Sequence, residues 1–339
     1  MLRFSRSAAT LFVLFLLLAA QAAQAAPVKL RLGTLVPKNS LYHRALLEMG
    51  ETWKKAQNDG STLTVYADGS QGGEIDTAKR MRIGQLNAGL LSIVGLREIE
   101  PSVSALQNMP LMFRSWEEVD YVREKMRPAM EQKFLDKGYV VLFWGDAGWV
   151  RFFSREAASR PEDYKRMKMF TWAGEPEQME IMKAMGYHPV SLETSDVLPA
   201  LQTGLINVVP ATPYYALAAQ FSSPAPYMLD INWAPIVGAL VVTRKAWDAM
   251  SPAGQEALRA AAAKSGAEMR AKARVEDGEA IAAMQKRGLQ VARPTPAQEA
   301  EWRKFAEGIY PKIRGTMVPA ETFDEVKRLL AEYRAANPK

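Results

Sequence analysis

The chain of 339 residues contains no cysteine and only two histidines, and none of its apolar runs approaches the ~20 residues needed to span a bilayer. Without cysteine there are no disulfides, no thiolate zinc or iron-sulfur clusters and no lipid-modified amino terminus, a composition that suits an exported chain folding without an oxidant. His43 falls in an amphipathic helical pattern and His188 beside Pro189 in a loop pattern, too far apart for ordinary metal-ligand spacing and with no nucleophile to serve. The sequence has no GxSxG, HExxH or P-loop pattern, and the glycine loop 69–73 lacks a nucleotide site's lysine and capping hydroxyl. No catalytic residue, metal ligand or cofactor is therefore expected. Charge of one sign is also scarce: 43 basic against 37 acidic residues give +6, and the two signs interleave in runs such as REKMRPAMEQKFLDKG. That pattern describes solvated helix faces and gives no footprint for nucleic acid.

The first 26 residues have the three parts of a cleavable secretory signal: Arg3 and Arg6, the apolar run 11–20, and the small-residue triplet Ala23-Gln24-Ala25. Removing residues 1–25 takes two positive charges with them, leaving a mature chain of net charge +4 that begins near Ala26 and is expected in the periplasm. A little over 300 residues is more than one hydrophobic core normally serves, so two domains are expected.

Hydrophobic periods alternate between two and 3.6 residues along the chain. Val28, Leu30 and Leu32 alternate with Lys29 and Arg31 as a strand, and a helix from Leu41 presents Leu41, Ala45, Met49 and Trp53 on one side before Asp59-Gly60. A strand over 63–67, a helix over 74–84 and a buried strand over 88–94 follow, a βαβα order that predicts a mostly parallel sheet covered by helices. After a helix over 116–137, the strand 139–144 is broken at Asp146-Ala147-Gly148 and resumes over 149–153, which places a crossing between domains there. A second α/β set runs through 167–172, a helix over 176–185 and 206–209, and the strand 236–243 returns to the first domain. The stretch 246–291 is alanine-rich and helical, and Phe323, Val326, Leu330 and Tyr333 space a final amphipathic helix. The expected division is 26–147 with 235–276 in one lobe and 148–234 with 277–339 in the other.

The run DVLPALQTGLINV at 196–208, with Ser195 before it, resembles a segment of the DctP-type receptors of tripartite ATP-independent periplasmic (TRAP) transporters, matching at Ser195, Asp196, Val197, Ala200, Leu201, Gln202, Thr203 and Gly204. The resemblance extends to RLGTLVPKNSLYHRAL at 31–46, to 69–73 and 84–87, and to NMPLMF at 108–113, in the family's order. It implies an α/β fold of two lobes, type II-like, with central mostly parallel sheets and a ligand cleft between the lobes.

Carried over position by position, the family's two carboxylate-binding arginines correspond here to Val150 and Phe170. Polar cleft positions become Leu35 and Val36, and Leu91 beside Ser92, while the segment after Gly204 becomes Asn207, Val208, Val209 and Pro210. With Gln71, Trp149, Trp172, Thr194, Tyr214 and Trp233 these are the candidate ligand contacts; Tyr215 is a further aromatic wall candidate, and Met167, Met169, Met179, Met182 and Met185 fit core filling or a plastic pocket. A cleft without arginine rejects small dicarboxylates and sugar acids and favours an apolar or amphipathic guest. A one-residue change of register would turn Arg151 inward, and two residues would offer Lys168, so a carboxylate held by Arg151 is the alternative.

The resemblance implies a small-molecule ligand, delivered to the small and large subunits of a TRAP permease. A periplasmic lipid carrier acting with a soluble helical-repeat protein, and a ligand-sensing partner of a receptor kinase, are the competing functions.

Overall fold

The computed structural model describes residues 27–338 apart from 174; the expected signal segment lies outside them. The strands are β1 (Lys29–Thr34), β2 (Thr62–Tyr66), β3 (Ala88–Ser92), β4 (Tyr139–Trp149), β5 (Arg151–Ser154), β6 (Lys168–Trp172), β7 (His188–Leu192), β8 (Val208–Ala211), β9 (Tyr227–Leu229), β10 (Pro235–Thr243) and β11 (Gln290–Ala292). They form a five-stranded sheet in the order β2-β1-β3-β10-β4 and a six-stranded sheet in the order β11-β9-β5-β8-β6-β7. Each sheet is mostly parallel with one antiparallel strand: β10 against β3 and β4 in the first, β5 against β8 and β9 in the second. Each of these has just arrived from the other lobe.

Local sequence explains the elements. In β1 the alternation buries Leu30 and Leu32 and exposes Lys29 and Arg31. The helix Leu41–Gln57 starts where the Ser40 hydroxyl accepts the His43 amide at 3.2 Å, and ends at Asn58 in the left-handed region. Its buried face is Tyr42, Ala45, Leu46, Met49 and Trp53; Leu41, at the first turn, is only half-buried. Trp53 is fully buried and its indole N–H donates to the Gly254 carbonyl at 3.1 Å.

The expected break at Asp146-Ala147-Gly148 is not a break. β4 runs through it because β10 stays paired alongside, and the irregularity is absorbed as a register shift between Val237↔Asp146 and Pro235↔Trp149. Gly148 takes φ 97°, which only glycine adopts freely, and a Cβ there would lie 2.6 Å from Oδ1 of Asp277. The crossing itself is Val150, whose amide donates to the Ala234 carbonyl at 2.8 Å and whose carbonyl accepts the Trp233 amide at 3.2 Å.

Three strands lie where the sequence showed none. β7 holds His188, assigned to a loop; β9 and β11 have three residues each, β9 lying between β5 and the edge strand β11, and β11 takes Val291 out of the helix expected to reach it, since Gly288 at φ 101° turns the chain. The helical stretch itself is Arg244–Asp248 followed by Pro252–Gln285. This second helix has 34 residues, about 51 Å at 1.5 Å per residue. Its Leu258, Ala262 and Met269 pack in the first lobe with Leu46, Trp53 and Phe143, while Ala280 and Met284 pack in the second with Phe170, Leu201 and Phe221.

Of the carboxyl-terminal helices, the first touches both lobes, since its Ile309 and Ile313 join the first-lobe core while its amino-terminal half lies on the second. In Pro296–Ile313, Trp302 packs with Phe152 and Tyr164 of the second lobe. In Ala320–Ala336, Phe323, Val326 and Leu330 join Val119 and Val122 of the helix Trp116–Asp136, and Arg334 pairs with Glu118 at 2.7 Å. That last helix therefore sits on the first lobe, whereas the expected division put 277–339 with the second. Among the described residues no helix is long and apolar enough to cross a membrane.

Candidate functional site

Between the lobes lies a cavity of about 540 Å³. Its walls are the carboxyl ends of parallel strands and the residues just after them: Thr34 to Val36 after β1, Leu90 to Ser92 in β3, Phe170 to Trp172 in β6, and Val209 to Thr212 in β8. This is where open α/β sheets place ligands, because the strands stop there and the loops diverge. Val150, Trp233 and Ala234 of the crossing segments close the back.

Ten of the thirteen candidate residues line this cavity: Leu35, Val36, Leu91, Ser92, Val150, Phe170, Trp172, Thr194, Tyr214 and Trp233. The other three do not. Trp149, one step from Val150 along the strand, points its ring the other way onto Trp116 at 4.9 Å, and its amide donates to Asp277 at 2.9 Å. Val208, at the amino end of β8, is fully covered beside Tyr164, Met167 and Trp302, and the wall is made by residues farther along the strand. Gln71 sits on a tight turn, closed by the Gly72 amide on the Gly69 carbonyl at 2.8 Å, which carries Gly73 and Glu74 to the wall instead. The 196–208 run is chiefly structural: Ala200 and Leu201 are core, Gly204 ends the helix Val197–Thr203 at φ 76°, and only Val197 reaches the wall.

The wall carries more acidic than basic side chains. Its charged side chains are Glu74, Asp76, Asp146, Glu175 and Glu193 against one cation, Lys79; among the described residues no arginine lines it. Arg151 is committed elsewhere, its Nε donating to Asp230 at 2.8 Å, and Lys168 is exposed at the start of β6. Asp146 is neutralised by Arg123 at 2.6 Å and Arg274 at 2.8 Å. Glu74 accepts the Ser92 amide at 2.9 Å, the Ser92 hydroxyl at 2.5 Å and the Gly95 amide at 3.0 Å, and burial nonetheless pushes its carboxyl up.

Glu175 went unnoticed in the sequence. Burial pushes its carboxyl to about 7; Arg97 at 3.6 Å opposes the rise, and Glu74 and Glu177 add to it. Arg97 belongs to the first lobe and also reaches Glu177 at 3.0 Å, so this trio ties the lobes across the cleft. Tyr42 and Tyr214 make a second tie, edge to face at 5.7 Å. Sequence could not pair Arg97 with Glu175, because only the fold brings the segments together.

Two α/β lobes joined by crossing strands, with one predominantly apolar cavity between them, define a solute receptor of the two-lobed kind. Residues 32–315 match the model of the bacterial extracellular solute-binding proteins, family 7 (DctP), and the chain belongs to that family of receptors, which are not enzymes. It is similar to a solute-binding protein of Roseobacter denitrificans (26% identical over 251 residues, 73% of this chain and 75% of that one). It is likewise similar to the C4-dicarboxylate-binding periplasmic protein DctP of Rhodobacter capsulatus (21% identical over 312 residues, 91% and 93%). Among solved structures, a TRAP periplasmic solute binding protein from Shewanella oneidensis with bound succinate superposes with a TM-score of 0.82 at 18% identity, covering 90% of this chain and 100% of that one. One from Xanthobacter autotrophicus with bound β-D-galacturonate gives 0.80 at 18% identity, with 89% and 99% covered.

Proposed function

We propose that this chain is the periplasmic receptor of a TRAP-type secondary transporter and that its solute is an apolar or amphipathic small molecule. The solute is captured between the lobes, buried by closure, and presented to the small and large permease subunits. Only contacts stronger in the closed form than in the open one favour that form. The relatives crystallised with succinate or galacturonate hold organic acids. One observation supports a different reading here: a cavity walled by Val150, Phe170, Leu35 and Trp233, with five carboxyl groups, one ammonium and no arginine among the described residues of its wall. A carboxylate buried there without a charged fork would cost several kcal/mol. A guest that instead buries about 300 Å² of apolar surface gains roughly 7 kcal/mol before the costs of association.

Native mass spectrometry of the protein purified from its own periplasm, followed by organic extraction, identifies the guest. An oily or amphipathic molecule supports the reading, and a small hydrophilic acid overturns it. Phe170→Arg should abolish retention of the oily guest, because Phe170 is 3% exposed and packs with Phe153, Val197 and Leu201, so a guanidinium there brings a charge into the apolar surface that grips the guest. A folded Phe170→Arg protein that still retains it refutes the apolar grip.

A further inference from the structure

The cavity extends beyond the cleft. Because β6 alternates, Phe170 and Trp172 face one side of the second sheet while Met169 and Thr171 face the other, and all four line the same cavity. The space therefore wraps around the carboxyl edge of the sheet and continues beneath the helix Pro296–Ile313. There it is bounded by Met182, Met185, Phe305, Ile309, Ile313 and Met317. The named residues of this branch are apolar, and Gln178, Tyr187, Thr171 and Asn108 bring polar groups to the same wall. Thr171, 3% exposed, has a buried hydroxyl with no hydrogen-bond partner among the described residues; so has the side-chain amide nitrogen of Asn108, which lines the cavity from the first lobe. Buried polar groups are ordinarily satisfied, and both orphans belong to residues of the cavity wall, where a small shift of either side chain would let it donate to an oxygen of a guest.

We infer that this second branch takes the hydrocarbon tail of a long-chain neutral amphiphile whose alcohol, ketone or ester oxygen accepts a hydrogen bond from Thr171 or Asn108. The inference rests on the apolar-solute reading above and names the class of solute. A neutral oxygen suits the acidic wall, where a carboxylate head would meet Glu74 and Glu175. Flexible thioethers at Met182 and Met185 suit a tail that packs in more than one way.

The test is binding of 1-hexanol, 1-nonanol and 1-dodecanol, read by tryptophan fluorescence, since Trp172, Trp233 and Trp302 lie on the wall. Affinity should rise about fourfold per added methylene through the series. Ile309→Trp, which fills the branch, should lower the dodecanol-to-hexanol affinity ratio at least tenfold. Should that variant not fold, Thr171→Val removes the hydroxyl at constant shape, and it should weaken 1-dodecanol about tenfold while leaving dodecane binding as it was. Alcohols that all bind with equal affinity overturn the tail branch and leave the apolar receptor standing. No binding of any alcohol together with binding of succinate overturns both.

Discussion

Replacing Glu175 with glutamine tests the electrostatics of the cleft directly. The carboxyl is almost wholly buried, and its rise from 4.5 to about 7, at about 1.4 kcal/mol per pH unit, sets the cost of ionising it in the folded chain at about 3 kcal/mol. Below pH 4.5 the group is neutral in folded and unfolded chains alike, so the cost is absent. It accrues as pH rises from 4.5 to 7 and is constant above. Glutamine keeps the shape of the neutral acid, and Arg97 retains Glu177 at 3.0 Å. Glu175→Gln should therefore melt higher than the wild type at pH 8, on the order of 5 °C for a chain of this size, and the difference should shrink towards zero at pH 4.5. Glu74, Asp277 and Glu276, whose carboxyls burial also pushes up, titrate in both proteins and cancel in the comparison, apart from the coupling of Glu74 to Glu175 itself. Melting curves by circular dichroism at half-unit pH intervals decide it. A wild type more stable than the variant at pH 8, or a difference that ignores pH, would mean that Glu175 is ionised and held by Arg97, and the reasoning fails.

Two substitutions probe the crossing. Gly148→Ala should destabilise by about 1–3 kcal/mol in denaturant titration, through its φ of 97° and the Asp277 carboxylate 2.6 Å from the new methyl group; adding Asp277→Ala should recover only the steric part. Asp146→Ala should cost about 3 kcal/mol or more, because Arg123, 2% exposed, loses its 2.6 Å partner, whereas Asp146→Asn keeps the shape and should cost less; the shift in denaturation midpoint reads both.

Much of the cleft was legible because it is built from local patterns. The alternation of Leu30 and Leu32 marks β1, and the step from Val150 to Arg151 turns consecutive side chains to opposite faces; the same parity, not applied to Trp149, turns that ring away from the cavity as well. That parity is why Val150 lines the cavity while Arg151 turns to Asp230. What escaped depends on contacts distant in sequence or on very short elements. β9 and β11, of three residues, carry no measurable period. Arg97 and Glu175 meet only through the packing of the lobes. Beneath Pro296–Ile313, the methionines of the helix over 176–185 resemble ordinary core filling until a helix more than a hundred residues later roofs them. The final helix shows an apolar stripe, and the stripe does not say which lobe it will cover.

The 34-residue helix Pro252–Gln285 gives its forward half to one hydrophobic core and its last turns to the other. Should either core dissolve, that end of the rod stands unsupported in water, where a helix owes little to its own propensity and much to what it is pressed against. The two halves of the receptor are thus expected to lose their structure together on heating.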